Sequence, residues 1–189
     1  MTLILASTSS IRRQMLDAAG VEYQATKPQV DEDELKLGLT DPRDMALQLA
    51  IAKAVSIPSE WVIGSDSVVT AGGRLFDKPR DRDEAADHLR FFSGKPMQLT
   101  SAVALSRGGT LEWSHVETAT LQVRPLSAEF IADYLDAEWP EVGYTVGVFR
   151  VEARGVQLFD RIDGDHFTIL GMPLIPLLGA LRTRGLLLS

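Results

Sequence analysis

The chain opens on Leu3-Ile4-Leu5-Ala6, an apolar run long enough for one buried strand, and passes with no linker into Ser7-Thr8-Ser9-Ser10 and then Ile11-Arg12-Arg13. This handover constrains the fold from its first residues, because a buried strand that feeds straight into a helix start makes a strand–helix unit on which a sheet must be built. Ser9 or Ser10 can cap the helix, which leaves other first-turn N–H groups facing outward at the positive end of the helix dipole. Arg12 and Arg13 add permanently charged forks that match phosphate oxygens. The unit is therefore suited to an anion, phosphate above all. The same residues also serve as plain caps and as a solvated helix face, so the remainder of the chain has to decide between these readings.

Ile11, Met15 and Ala18/Ala19 share one helical face, and Gly20 stands where a glycine would end that helix. Residues 21–26 predict a second short strand, followed by an acidic loop, Asp31-Glu32-Asp33-Glu34. Asp41 caps the next helix with Pro42 at its first position, and Met45, Leu49, Ala52 and Lys53 ride on it before Pro58 stops it. Trp61-Val62-Ile63 enters Gly64-Ser65-Asp66-Ser67 and leaves as Val68-Val69-Thr70, which predicts a hairpin interrupted by Gly and Asp before Gly72-Gly73 turns the chain. Asp81 with Glu84 signals a helix running to Ser93-Gly94, and residues 97–105 and 111–123 predict long strands around Arg107-Gly108-Gly109. A helix from Ser127 ends by Pro140, glycines at 143, 147, 155, 164 and 171 suggest a strand-rich final third, and an apolar helix closes the chain from about Pro173 to Arg184. Strands interspersed with helices indicate an α/β or α+β fold around a long, twisted sheet, with one domain over residues 1–189.

A chain of 189 residues, 45% of them hydrophobic, has ample material for a core. It has no apolar run of the roughly eighteen residues that span a bilayer, and Met1-Thr2-Leu3 does not begin a secretory signal, so a soluble cytoplasmic protein is expected. The absence of cysteine excludes disulfides, thiolate zinc sites and thiol nucleophiles together. His88, His115 and His166 have no zinc-like spacing, so any metal would be a hard ion held by carboxylates, magnesium or manganese. The net charge of −7 argues against a nucleic-acid polymer as partner while leaving room for a small anion at a local basic cluster.

Three separated features invite one interpretation: Ser7 and Arg12 at the first helix, Glu32 in the acidic loop, and Asp66 within an apolar strand. Asp66 is the sharpest, since an acid between Val62-Ile63 and Val68-Val69 is expensive to bury without a partner, its alternative being a turn-forming Asp in a bulge. Lys53 and Lys78, taken singly, are lysines reaching for solvent. Brought together, these cations would neutralise a triphosphate while the carboxylates held a divalent metal.

The chain resembles the Maf family of nucleoside triphosphate pyrophosphatases. The resemblance rests on Leu5-Ala6-Ser7-Thr8-Ser9 with Arg12, Gln29-Val30-Asp31-Glu32, Ala52-Lys53-Ala54, Ile63-Gly64-Ser65-Asp66, Asp77-Lys78-Pro79-Arg80, Glu84-Ala85, Ser93-Gly94, residues 101–105, and Ile162-Asp163-Gly164-Asp165 through Leu170-Gly171-Met172-Pro173-Leu174, in the family's order. It implies an α/β fold similar to inosine triphosphate pyrophosphatases, a long mixed sheet flanked by helices with two lobes around a central cleft. It also implies a homodimer and a divalent metal, Mg²⁺, Mn²⁺ or Co²⁺, used to cut a nucleoside triphosphate into monophosphate and pyrophosphate. Asp66 matches the family's proton acceptor and Glu32 its second acidic residue, both as metal ligands, while Ser7, Arg12, Lys53 and Lys78 match phosphate contacts.

The family's three specificity positions fall on Ile11, Ser67 and Glu152. The branch similar to thymidine and uridine triphosphate pyrophosphatases carries Arg, Thr and Gln there, and the branch similar to 7-methyl-GTP pyrophosphatases carries Trp, Gln and Glu. Glu152 agrees with the second branch, since a carboxylate accepts from the N1–H and 2-amino edge of guanine, whereas Ile11 lacks an aromatic face for a cationic base. The expectation is a pyrophosphatase for 7-methyl-GTP or another modified nucleotide that binds neither nucleic acid nor membrane. The alternatives are a thymidine, uridine or inosine triphosphate pyrophosphatase and a non-catalytic nucleotide-binding regulator of cell division.

Overall fold

A computed structural model describes residues 2–188. Its seven strands form one mixed sheet: β1 (Leu3–Ala6), β2 (Gln24–Thr26), β3 (Trp61–Ala71), β4 (Arg74–Phe76), β5 (Pro96–Arg107), β6 (Thr110–Val123) and β7 (Phe159–Asp163). The order is β2-β1-β3-β5-β6-β7, with β4 on β3. β1 pairs in parallel with both β2 and β3, with Leu5 opposite Ala25 and Ile63, whereas β4 and β7 pair antiparallel with β3 and β6. Seven α-helices accompany the strands among the described residues: α1 (Ser10–Ala18), α2 (Glu32–Lys36), α3 (Pro42–Val55), α4 (Arg82–Phe92), α5 (Ala128–Glu138), α6 (His166–Leu170) and α7 (Leu174–Thr183). The expected α/β class and long mixed sheet are present.

The helix starts follow the cap chemistry read from the sequence. Ser9 caps α1 by accepting from the Arg12 N–H, Asp41 accepts from the N–H groups of Arg43 and Asp44, Asp81 accepts from Glu84, and Ser127 accepts from Phe130. Gly20, at φ 69°, takes the chain out of α1 in the left-handed region.

Four expectations are corrected. The second strand is shorter than residues 21–26, covering only Gln24–Thr26. The acidic segment is a helix, α2, because the Asp31 side chain accepts from the Glu34 N–H and three acids in the first turn suit the positive end of the dipole. No break occurs at Gly64 to Ser67; β3 runs through eleven residues, since a partner for Asp66 removes the need for a bulge. The final third is not strand-rich: it holds β7 and two 3-10 helices, Glu141–Tyr144 and Arg154–Leu158. Gly155 marks close packing rather than a strand turn, as a Cβ there would stand 2.5 Å from the Arg150 carbonyl oxygen.

The chain divides into two compact units: Met1–Ser67 with Thr100–Thr118 and Asp165–Ser189, and Val68–Leu99 with Ala119–Gly164. In the first, Leu5, Leu16, Ile63, Val103, Leu105, Met172, Leu177 and Leu181 form the buried core, so β1, β3 and β5 share it with α1 and α7. In the second, Phe76 packs on Phe91 and Phe92, and the buried Tyr134 hydroxyl donates to the Val148 carbonyl at 3.1 Å. No helix among the described residues is long and apolar enough to cross a membrane.

Candidate active site

Strand alternation sets the site. Side chains of β3 point to opposite faces in turn, so Gly64 and Asp66 share the face toward α3 while Ser65 and Ser67 share the other. Gly64 lets α3 come unusually near: a Cβ on it would lie 2.2 Å from the Ala50 carbonyl oxygen and 2.4 Å from the Ala54 nitrogen. That approach brings Lys53, in the last turn of α3, onto Asp66.

The contact is an ion pair of 2.5 Å from Lys53 Nζ to Asp66 Oδ1, and the same ammonium lies 2.8 Å from Glu32 Oε1. Lys53 and Asp66 are 6% and 8% exposed, so Lys53 is the charge that makes the buried Asp66 carboxylate tolerable, and the two carboxylates do the same for Lys53. Glu32 comes from α2, which buries none of its own residues, and its side chain is 43% exposed. The two carboxylates thus converge on a single cationic point.

On the opposite face of β3, half-buried Arg12 reaches from α1. Its Nη1 donates to the Ser65 carbonyl at 2.9 Å, its Nε to the Gly171 carbonyl at 2.9 Å, and its Nη2 to the Ser67 hydroxyl at 3.2 Å. Burial lowers the Arg12 pKa from its ordinary value, and the negative charges of Asp66 and Glu32 oppose that shift. Ser7 is buried at the end of β1, where its hydroxyl accepts from the Ser9 N–H at 3.1 Å.

Of the residues singled out from the sequence, Glu32, Lys53 and Asp66 meet directly, and Arg12 meets Ser67. Ile11 is half-buried and lines an apolar groove of about 340 Å³ with Met15, Phe167, Leu170 and Leu174. Lys78 is exposed between β4 and α4, and Glu152 is exposed ahead of the second 3-10 helix; both belong to the second unit. Sequence reasoning missed Ser65, Ser101 and the Gly171 carbonyl. Their signal was present as serines inside otherwise apolar strands, since a buried hydroxyl needs a partner.

The donor set suits a hard divalent ion. Two carboxylate oxygens held around one cationic centre match the mode in which Mg²⁺ takes one or two protein carboxylates and completes its shell with phosphate oxygens and water. Among the described residues, no three His, Cys, Asp or Glu side chains converge into an all-protein cage.

The family profile described as Maf-like protein matches residues 2–184. The chain belongs to the Maf family. This Maf protein is 47% identical over 195 residues to a nucleoside triphosphate pyrophosphatase of Sphingopyxis alaskensis, the match covering 98% of each chain. It is 44% identical over 191 residues to a 7-methyl-GTP pyrophosphatase of Rhizobium meliloti, covering 97% of this chain and 96% of that protein. Among solved structures, a nucleoside-triphosphatase (dITP/XTP pyrophosphatase) of Mycobacterium abscessus superposes with a TM-score of 0.41 at 16% identity, covering 68% of this Maf chain and 76% of the other.

Proposed function

We propose that this Maf protein hydrolyses a nucleoside triphosphate between its α- and β-phosphates, releasing nucleoside monophosphate and pyrophosphate, and that the whole chain works as one catalytic domain. The observation that carries the reading is the convergence of Asp66, Glu32 and Lys53 at 2.5 and 2.8 Å, in segments that resemble the family's acidic and basic motifs. Relatives named as pyrophosphatases over nearly the whole chain support it.

In this mechanism Asp66 accepts a proton from water as the water oxygen bonds to the α-phosphorus and the bond to the bridging oxygen breaks. Lys53 anchors the Asp66 carboxylate through Oδ1, and Glu32 completes the pair of oxygens that would hold Mg²⁺, Mn²⁺ or Co²⁺. When bound, the metal would supply positive charge to the departing pyrophosphate. Ser7, Arg12, Lys53 and Lys78 are assigned to the phosphates. The assignment of Lys78 rests on Asp77-Lys78-Pro79-Arg80, which resembles the family's motif, together with the charge it would bring to a polyanion.

For the base, we infer 7-methyl-GTP or another modified nucleotide, read at Ile11, Ser67 and Glu152. The exposed Glu152 carboxylate and the 44% identity to a 7-methyl-GTP pyrophosphatase support this reading. Glu152→Gln should move preference away from guanine. A cytoplasmic homodimer follows from the family resemblance and is testable by light scattering on the purified protein.

The deciding experiment measures pyrophosphate release across a broad nucleotide panel with each metal. The reading expects turnover that Asp66→Asn abolishes in a folded protein. Tight, metal-independent nucleotide binding without product would replace it with the regulatory alternative.

A further inference from the structure

Behind Asp66, on the face of β3 away from Lys53, lies a set of polar contacts within a single unit, in which the Ser65 hydroxyl also reaches the Ala102 carbonyl at 2.8 Å. The Gly171 carbonyl lies 2.9 Å from Arg12 Nε, 3.1 Å from the Ser65 hydroxyl and 3.1 Å from the Ser67 hydroxyl. The Ser101 hydroxyl on β5 donates to the Thr168 carbonyl at 2.8 Å and lies 2.8 Å from the Ser67 hydroxyl.

Proton counting gives this set a direction. A serine hydroxyl has one proton. Ser101 gives its proton to Thr168, so it is the acceptor toward Ser67, and Ser67, which accepts from Arg12 Nη2 at 3.2 Å, has one proton that serves either Ser101 at 2.8 Å or the Gly171 carbonyl at 3.1 Å. The result is a set in which Ser67 links Arg12 to Ser101 and to the Gly171 carbonyl, Ser101 leads on to the Thr168 carbonyl, and Arg12 is also tied directly to the Ser65 and Gly171 carbonyls. The residues on both sides of Asp66 are thereby held from behind, by the buried Ser65, Ser101 and Thr168 together with the half-buried Arg12 and Ser67. Ser101 is 0% exposed, so water offers it no substitute partner.

Gly171 is built for its part. It ends α6 at φ 107°, and a Cβ there would stand 3.4 Å from the Ser67 hydroxyl and 3.8 Å from Arg12 Nε. Any other residue would strain the turn that aims the carbonyl at the set.

We propose that Ser101 and the Gly171 carbonyl are positioning residues that fix the Asp66 carboxylate, acting through Ser67, Ser65 and Arg12 from the opposite face of β3. The proposal rests on Asp66 being the proton acceptor. A base held to within a few tenths of an ångström needs its strand held, and a displacement near 1 Å costs on the order of a hundredfold in rate.

The test is a mutant cycle on the purified full chain, with nucleotide turnover and thermal melting read for each protein. Ser101→Ala removes one buried oxygen, and kcat should fall roughly tenfold while KM stays within about twofold, the pattern of a group acting on the chemical step. In an Asp66→Glu background, where the carboxylate is already displaced, the same change should cost less than about threefold. Gly171→Ala should reproduce the kcat loss. If Ser101→Ala does not fold, Ser101→Cys, which keeps the volume with a weak acceptor, takes its place in the cycle.

A kcat within twofold of the parent, or an equal loss in both backgrounds, overturns the proposal while Asp66→Asn remains inactive. Turnover retained by Asp66→Asn would instead overturn the reading on which the proposal rests.

Discussion

Lys53 and Asp66 form a pair in which each charge makes the other tolerable. Both are almost fully buried, so removing Lys53 leaves Asp66 without its paired charge, while removing Asp66 leaves Lys53 with Glu32. Lys53→Met should destabilise the fold by about 3–5 kcal/mol, the usual cost of breaking a buried pair, and chemical denaturation would measure it. Changing Glu32 to Gln should cost far less stability, because its side chain is 43% exposed, yet it should weaken Mn²⁺ binding measured by titration calorimetry. A second residue-scale case is Glu84. The Arg80 side chain, and then its backbone N–H, hold the Glu84 carboxyl down at about 2. Its folded pKa lies below the unfolded value, so its contribution is present above about pH 4.5 and is lost as pH falls toward 2. NMR titration should find that midpoint, and Arg80→Ala, which removes the side chain but keeps the backbone N–H at position 80, should raise the Glu84 pKa part of the way toward the ordinary carboxylate range.

At the scale of elements, the approach of α3 to β3 decides whether a site exists. Gly64 carries no Cβ where one would overlap the α3 backbone at 2.2 Å, and neither backbone can yield cheaply. Gly64→Ala should cost about 1–3 kcal/mol or more in overpacking and should lower kcat by drawing Lys53 from Asp66; a melt and a turnover assay report the two effects separately. The element starts were legible because caps are local: Ser9, Asp41, Asp81 and Ser127 each bond an N–H two or three residues on. α2 was misread as a loop because an acidic run reads as solvated unless its own cap is noticed, and the cap is Asp31 itself. The uninterrupted β3 was misread for a different reason, since the partner that removes the cost of Asp66 is thirteen residues away on another element.

For the whole molecule, stability comes from apolar burial such as Leu5, Ile63, Leu105 and Leu177 and not from a disulfide, as the chain contains no cysteine. Treatment with EDTA should stop turnover while moving Tm by less than about 2 °C, the equivalent of at most about 0.5–1 kcal/mol for a chain of this size. Thiol alkylation should leave activity unchanged. The sequence by itself determined a mixed α/β or α+β class, the order of most elements and the chemical types available, because hydrophobic period, caps and residue inventory are properties of neighbours along the chain. Only the tertiary structure decided that Lys53 faces Asp66 and Glu32, and that Arg12, Ser67, Ser101 and Gly171 close behind them. Those meetings depend on which face of a strand a residue takes and how near a helix can come, distances that long-range packing alone sets.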